Sequence, residues 1–274
     1  MARPAEWALI LGASAGTGAA AAAALSRRHG LNVFGVHRGN HPDTAERAVR
    51  AVEATGATCH LRVSEAGTYA AAREGANELL AVAGPKSVRI FVHAIANASV
   101  ARLVVGTRPA HPKQVAKTFE AMAHSFLWWS QALHDLDLLA PEARLLALTN
   151  PMTDQILRGT ALVAAAKAAL EVYVRHLAAE LGPEGHRVNI LKFGAVNTNA
   201  LRATVGDEGA ERIERSVRAV VPAGRLLQIE QVGELIALLA GDEMSWFNGA
   251  TIDYTGGETQ SLWDHIVNPT PGEP

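Results

Sequence analysis

The sequence contains a single cysteine, Cys59, so no disulfide can form within the chain. A lone thiol fits a reducing compartment, and we expect a cytoplasmic protein. No apolar run approaches the roughly eighteen residues that suggest a membrane-spanning helix. Glu6 and three glycines interrupt the apolar start of the chain, which argues against a secretory signal peptide. We therefore expect no membrane partner.

An excess of charge of either sign is also lacking. The chain has 25 basic and 27 acidic residues, a formal net charge of −2, and no block of like charge. Binding to nucleic acid or to an anionic membrane would call for a basic patch, so neither partner is expected. We also predict no metal site. A small-molecule substrate fits this composition better.

Short apolar runs rich in β-branched residues alternate with longer segments of helical periodicity, at intervals of about thirty residues. Seven runs are candidate strands: WALILGA, LNVFGVH, ATCHLRV, VRIFVHAIA, ARLLALT, RVNILKF and GATIDYT. This alternation is typical of an α/β fold, a doubly wound parallel sheet with helices on both faces. We predict one domain over residues 1–274, with an insertion over a site at about 199–222 and a frayed end at 268–274.

A glycine-rich turn follows the first candidate strand, in the stretch LGASAGTGAAAAAA. Gly12, Gly16 and Gly18 allow a tight turn and a close approach of the backbone to a pyrophosphate, which the following helix N-terminus favours. Together with Ser14 and Thr17, they are predicted to bind a nucleotide. A glycine triplet alone is weak evidence, and its place between a strand and a helix strengthens it.

This glycine spacing in this position resembles the short-chain dehydrogenase/reductase superfamily, and the resemblance runs almost from end to end. It implies a Rossmann-like domain and a nicotinamide cofactor. The stretch EGHRVNILKFGAVNT is similar to the sixth strand and following loop of that family, which implies that Gly194, Val196 and Thr198 contact the nicotinamide and phosphates. The C-terminal stretch from VPAGRLL to YTGG resembles the family's closing helix, strand and Gly-Gly turn.

The end of the second strand bears on the choice of nicotinamide. An acid there selects NAD, whereas a basic residue suits the 2′-phosphate of NADP. The sequence places His37 where the acid is expected, followed by Arg38, so we predict NADP(H), with NAD(H) still possible. Arg38 could instead be a solvated loop residue. After the third strand, Arg62 replaces the aspartate usual in the family, and Val63 is predicted to lie by the adenine.

Lys167 stands in an alanine-rich helix, GTALVAAAKAALEVYV. The resemblance implies that it bonds the nicotinamide ribose and lowers the pKa of a tyrosine that protonates the substrate. The two family positions for that tyrosine are Val163 and Thr160 here, and Asn150 stands at the usual serine. We predict catalytic roles for Lys167, Asn150 and Thr160.

Another acid or a bound water must replace the tyrosine, and the sequence leaves the choice open. The candidates are Thr160, Asn150, His124, His93 and Asp154. His93 could equally belong to strand-end packing, His124 to an interface, and Asp154 to a turn. The chain has only three tyrosines, Tyr69, Tyr173 and Tyr254, and none is a plausible donor from its sequence position.

Other stretches resemble the enoyl-thioester reductase branch of the superfamily. FVHAIANAS is similar to that branch's fourth strand, which implies that Ala94 and Ile95 line the cofactor site, and AHSFLWWSQAL matches its Ser-Phe pair at Ser125 and Phe126. The implied function is reduction of an enoyl thioester carried by CoA or acyl carrier protein. Alternatives are a non-catalytic nucleotide-binding protein and a carbonyl reductase with a substituted acid. The helices carrying Trp128 and Lys167 imply a homodimer or homotetramer.

Overall fold

The computed structural model describes residues 5–106 and 109–258, so the predicted frayed end at 268–274 lies outside the described residues. One parallel sheet of seven strands has the order β3-β2-β1-β4-β5-β6-β7. The predicted doubly wound sheet is therefore confirmed. Its strands are β1 Trp7–Leu11, β2 Asn32–His37, β3 Cys59–Val63, β4 Val88–His93, β5 Leu139–Thr149, β6 Arg187–Phe193 and β7 Thr251–Tyr254.

Helices connect successive strands and cover both faces of the sheet. They are α1 Gly16–His29, α2 Pro42–Glu53, α3 Tyr69–Ala83, α4 Pro112–Phe119, α5 Ser125–Asp135, α6 Ala161–Leu181, α7 Asn199–Val220 and α8 Ile229–Leu239. A π-helical turn, Glu120–His124, joins α4 to α5. None of the described helices is long and apolar enough to cross a bilayer.

The two-residue period of the strands divides the core into two layers. In β1, Leu9 and Leu11 point into one cluster, with Trp129 of α5 and Leu170 of α6. Ala8 and Ile10 point into the other, with α1 and α8. Because successive strand side chains face opposite sides, a fully buried strand reads as a continuous apolar run. This explains why WALIL was recognisable from the sequence.

Small residues let α1 and α8 pack closely. A Cβ atom on Gly233 would lie 2.6 Å from the backbone oxygen of Ala20, so the two helices meet backbone to backbone. The alanines of α1 serve the same packing and keep that helix near the sheet. Its N-terminus is consequently fixed beside the carboxyl ends of β1 and β4.

The strand order reverses between β1 and β4, and a cleft opens outside the carboxyl ends of the strands at such a point. The segment predicted as an insertion is the helix α7, which is kinked at Gly206, where φ is 76°. Leu201, Val205 and Ile213 of this helix line the cleft. The segment is therefore a helix that borders the cavity.

Candidate active site

A cavity of about 1610 Å³ occupies the cleft at the carboxyl ends of the central strands. It runs from the glycine turn and the end of β2, past the ends of β4 and β5, to α6 and α7. One continuous space thus connects the predicted cofactor residues with Lys167. Its size exceeds that of a typical ligand pocket of about 300–1,000 Å³, as a site for a dinucleotide and a second molecule requires.

The glycine turn forms the floor of one end of this cavity. Gly12 has a φ of 88°, and a Cβ atom there would lie 2.8 Å from the oxygen of Ala94. Gly18 does not line the cavity, but a Cβ on it would lie 2.1 Å from the oxygen of Gly12. The glycines therefore permit the close contact of turn, helix and β4 that shapes the site.

The N-terminus of α1 opens onto the cavity through Ser14, Gly16 and Thr17. Ala15 precedes the helix and supplies no side-chain cap, so the first backbone N–H groups have no capping partner. Uncapped N–H groups at a helix N-terminus, together with the helix dipole, bind phosphate well. The residues present therefore fit a dinucleotide.

Two basic residues border the cavity beyond the end of β2. Arg38 and Arg47 both line it, and neither forms a hydrogen bond or ion pair with another described residue. His37 also lines it, and burial lowers the pKa of its ring, while its Nδ1 accepts a hydrogen bond of 3.2 Å from the backbone N–H of Gly39. His37 is therefore neutral near pH 7, and the two arginines supply the positive charge.

The end of β3 differs from the prediction. The side chain of Val63 is 67% exposed and does not line the main cavity, whose wall here consists of residues 64–67. Arg62 is turned away and pairs with Glu78 and Glu74 of α3. The prediction assigned Val63 to the adenine site from its position at the end of the third strand. Because side chains alternate along a strand, that of Val63 points away from the main cavity.

At the end of β4, Ala94 and Ile95 line the cavity, whereas His93 does not. His93 is fully buried, and its Nε2 lies 2.7 Å from the hydroxyl of Ser125. Burial, and then the charge of Lys167, lower the pKa of His93 to about 3. An imidazole that stays neutral at ordinary pH belongs to strand-end packing.

Lys167 lies in the wall of the cavity on α6 and is only 4% exposed. Its Nζ donates a hydrogen bond of 2.6 Å to the oxygen of Leu148, near the end of β5. Burial lowers its pKa to about 8, against the opposing effect of Glu171. An ammonium group has three N–H donors, so two remain for a ribose hydroxyl or a water.

Asn150 and Thr160 both line the cavity near Lys167, but their side chains are occupied locally. The Asn150 oxygen accepts a hydrogen bond of 3.2 Å from the N–H of Met152. The Thr160 hydroxyl donates to the oxygen of Leu157 at 2.8 Å. Val163 also faces the cavity. Thr160 and Val163, the two positions at which the resemblance would place a tyrosine, therefore both lie in the wall.

The three tyrosines lie elsewhere, and none of them lines the cavity. Tyr69 packs edge-on against Trp128. The hydroxyl of Tyr173 lies 3.0 Å from Nδ1 of His124, and neither residue lines the cavity. Asp154 pairs with Lys192 at 2.6 Å and does not line the cavity either. Of the sequence-derived acid candidates, only Asn150 and Thr160 border the cavity.

The loop after β6 borders the cavity through Gly194, Val196 and Thr198, and the Thr198 hydroxyl caps α7 by accepting from the N–H of Leu201 at 3.2 Å. No sequence pattern marks Glu258, whose carboxylate accepts a hydrogen bond of 3.1 Å from the N–H of Ala195. Burial raises the pKa of Glu258. Arg47 was not predicted either. It lies on α2, the helix that directly follows β2 and Arg38, and this position is the sequence feature that could have indicated it.

Fold and site together define a short-chain dehydrogenase/reductase, a class of nicotinamide-dependent oxidoreductases, as the sequence predicted. The model of the family described as Enoyl-(Acyl carrier protein) reductase matches residues 12–259, and the chain belongs to this family.

Curated relatives differ in how much of the chain they match. The 1-cyclohexenylcarbonyl-CoA reductase of Streptomyces collinus is 27% identical over 251 residues, which cover 91% of this chain and 85% of that enzyme. Enoyl-[acyl-carrier-protein] reductase [NADH] FabI of Escherichia coli is 30% identical over 135 residues, 49% of this chain and 50% of that enzyme. Other relatives match 35% or 36% of the chain, and the alignments span only 42% or 38% of those proteins.

Among solved structures, a short chain dehydrogenase from Burkholderia cenocepacia J2315 in complex with NADP superposes with a TM-score of 0.81. It is 24% identical, and the match covers 93% of this chain and 98% of that one. This likeness shows the fold.

Proposed function

We propose that this chain is an NADP(H)-dependent reductase of an activated C=C bond in an enoyl thioester, and that no tyrosine serves as its acid. The observation that carries the proposal is the composition of one cavity. The cavity is bordered by the uncapped start of α1, by Arg38 and Arg47, which pair with no other described residue, and by the buried Lys167. No tyrosine borders it.

The cofactor assignment rests on charge at the end of β2. The 2′-phosphate of NADP carries negative charge that NAD lacks, and a guanidinium group binds phosphate through several N–H donors. Arg38 and Arg47 have no acidic partner among the described residues, so neither would have to break an ion pair to bind it. When bound, the reduced cofactor supplies a hydride.

Lys167 has the position and free donors to hold the nicotinamide ribose. Lys167 lines the cavity and its Nζ donates one hydrogen bond, to the oxygen of Leu148, so two N–H donors remain. Because burial lowers its pKa to about 8, the amine is also a usable proton donor near neutral pH. A water beside Val163, whose side chain is smaller than a tyrosine, would carry that proton to the substrate.

The substrate class is supported by the lining of the other end of the cavity and by two relatives. Met152, Ile156, Val205, Ile213 and Val217 present apolar surface there. The names of the matched Streptomyces and Escherichia enzymes specify reduction of thioesters of CoA and of acyl carrier protein. An apolar acyl group on such a carrier fits this wall.

Steady-state oxidation of NADPH tests the proposal. We expect turnover with enoyl thioesters, such as crotonyl-CoA and 1-cyclohexenylcarbonyl-CoA, and little with simple ketones. Turnover confined to ketones would support the carbonyl-reductase alternative instead. If NADPH binds but none of these substrates reacts, the chain is a non-catalytic nucleotide-binding protein, an alternative that the absence of a tyrosine in the cavity favours.

A further inference from the structure

A second buried lysine, Lys192, lies near the site but outside the cavity. It stands on β6, directly beside Thr149 of β5, and is 8% exposed. Its Nζ lies 2.6 Å from a carboxylate oxygen of Asp154 and 4.0 Å from one of Glu171. Burying an ammonium group is costly unless it is paired, and two carboxylates compensate this one.

Glu171 connects this lysine to Lys167. It lies one turn after Lys167 on α6, and residues four apart share a helix face. Its carboxylate accepts hydrogen bonds from the hydroxyls of Thr153 at 3.2 Å and Thr149 at 3.4 Å. Its charge raises the pKa of Lys167 against the effect of burial, so the two groups interact. Glu171 forms an ion pair with Lys192 and none with Lys167, so a proton passing between Glu171 and Lys167 would need a bridging water.

Asp154 lies at the solvent-exposed end of this row of charged side chains. Its side chain is 43% exposed, whereas those of Glu171 and Lys192 are 17% and 11% exposed. From the cavity wall to the surface, the charged groups are therefore Lys167, Glu171, Lys192 and Asp154, in alternating sign. Only Lys167 among them borders the cavity, so the other three do not bind substrate.

We propose that Asp154, Lys192 and Glu171 form a path that returns a proton from solvent to Lys167 after each turnover. The proposal rests on the proposed function, in which Lys167 gives up a proton, through a water, to the carbon next to the thioester carbonyl. Solvent protonates the Asp154 carboxylate, which passes its proton to Lys192 as Lys192 passes one to the Glu171 carboxylate. Glu171 then gives that proton, through a bridging water, to the neutral amine of Lys167, so that both carboxylates end ionised as they began.

The other titratable group facing Lys167 does not serve this purpose. His93 of β4 is fully buried, and its Nε2 meets the Ser125 hydroxyl, which itself donates to the oxygen of Ala121. Its pKa of about 3 keeps the ring neutral, so it has no spare proton to give. Among the described residues, Glu171, Lys192 and Asp154 therefore form the charged connection from Lys167 to the surface.

The test compares the first turnover with the following ones. In Lys192→Met, with NADPH bound and crotonyl-CoA added in a stopped-flow instrument, the first equivalent of NADPH should be oxidised at the wild-type rate, because Lys167 starts protonated. Later turnovers should be about 100-fold slower, the lower range for loss of a positioned proton donor. Raising the concentration of a methylammonium buffer should restore them.

Lys192→Arg keeps the charge and should retain the wild-type rates of the first and later turnovers. Glu171→Gln should show the same slow later turnovers as Lys192→Met, and it replaces that variant in the test if Lys192→Met does not fold. Lys86→Met, which removes the surface pair with Asp137 at 3.8 Å, and Glu180→Gln on the exposed side of α6 are matched controls. Equal slowing of first and later turnovers, without an effect of buffer, would mean a purely structural role and overturn the path, as would unchanged rates.

A measurement on the free enzyme separates this proposal from the proposed function. The pKa of Lys167, followed by ¹⁵N NMR of its amine, should fall in Glu171→Gln, because that residue raises it. If the wild type reduces no substrate, the proposed function fails and Lys167 has no proton to regain. If the wild type turns over but the pKa of Lys167 is unchanged in Glu171→Gln, the proposed function stands and the path is overturned.

Discussion

Replacing Lys167 by methionine should change how the stability of the protein depends on pH. The native amine has a pKa of about 8, against an ordinary value of 10.5. Between these values the unfolded state binds more protons than the native state, so Lys167 makes the free energy of unfolding rise with pH. Each pKa unit corresponds to about 1.4 kcal/mol, so the contribution approaches about 3 kcal/mol by pH 10.5 and is lost as pH falls through 8.

Methionine has a similar length and no titratable group, so its variant should lack this rise. Urea unfolding followed by tryptophan fluorescence, at one protein concentration and at pH 7, 8, 9 and 10, gives the difference between the two proteins. Taking this difference cancels the contributions of the other groups that titrate in this range, because both proteins contain them. The free energy of unfolding of the wild type, minus that of Lys167→Met, should increase by about 2–3 kcal/mol from pH 7 to pH 10. A difference independent of pH would show that the amine is solvated, and would refute its burial in the cavity wall.

Three further predictions concern the cofactor, the proton donor and assembly. Arg38→Ala should weaken NADPH binding by about 1.5–3 kcal/mol and leave NADH binding nearly unchanged, as fluorescence titration would show; equal losses for both cofactors would contradict the phosphate assignment. Thr160→Tyr should raise turnover with enoyl thioesters, and Val163→Tyr with ketones, because each places a phenol in the cavity wall; slower steady-state rates in both variants would mean that the native site already has an effective acid. We propose that α5 and α6, with Trp128 half-buried on their surface, pair between subunits, so light scattering at micromolar concentration should give a dimer or tetramer and not a monomer.

Local sequence was sufficient for most of the fold. The strand WALIL is apolar throughout because both of its faces are buried, and Gly12 and Gly18 are glycines because the backbone passes within contact distance of Ala94 and of itself. For α7, the sequence predicts only an insertion and not a helix. Its apolar residues face a cavity and not the protein core, so they are sparse and give a weak helical period.

The contacts that complete the site join distant parts of the chain, and sequence patterns do not report these. Lys192 meets Asp154 across 38 positions, and Glu258 meets Ala195 across 63. Asp154 was considered as an acid on its own because its partner was not apparent. Val63 was placed at the adenine by counting from the strand end, although the direction of its side chain depends on the register of β3 with β2.

Transfer of deuterium tests the central claim most directly. The wild-type protein, mixed with an enoyl thioester and NADPH that carries deuterium at both C4 positions of the nicotinamide, should yield a saturated thioester with one deuterium at the carbon β to the carbonyl, detected by mass spectrometry. In D₂O with unlabelled NADPH, the deuterium should appear at the α carbon. Recovery of unreacted enoyl thioester, from a protein that binds NADPH, would contradict the account.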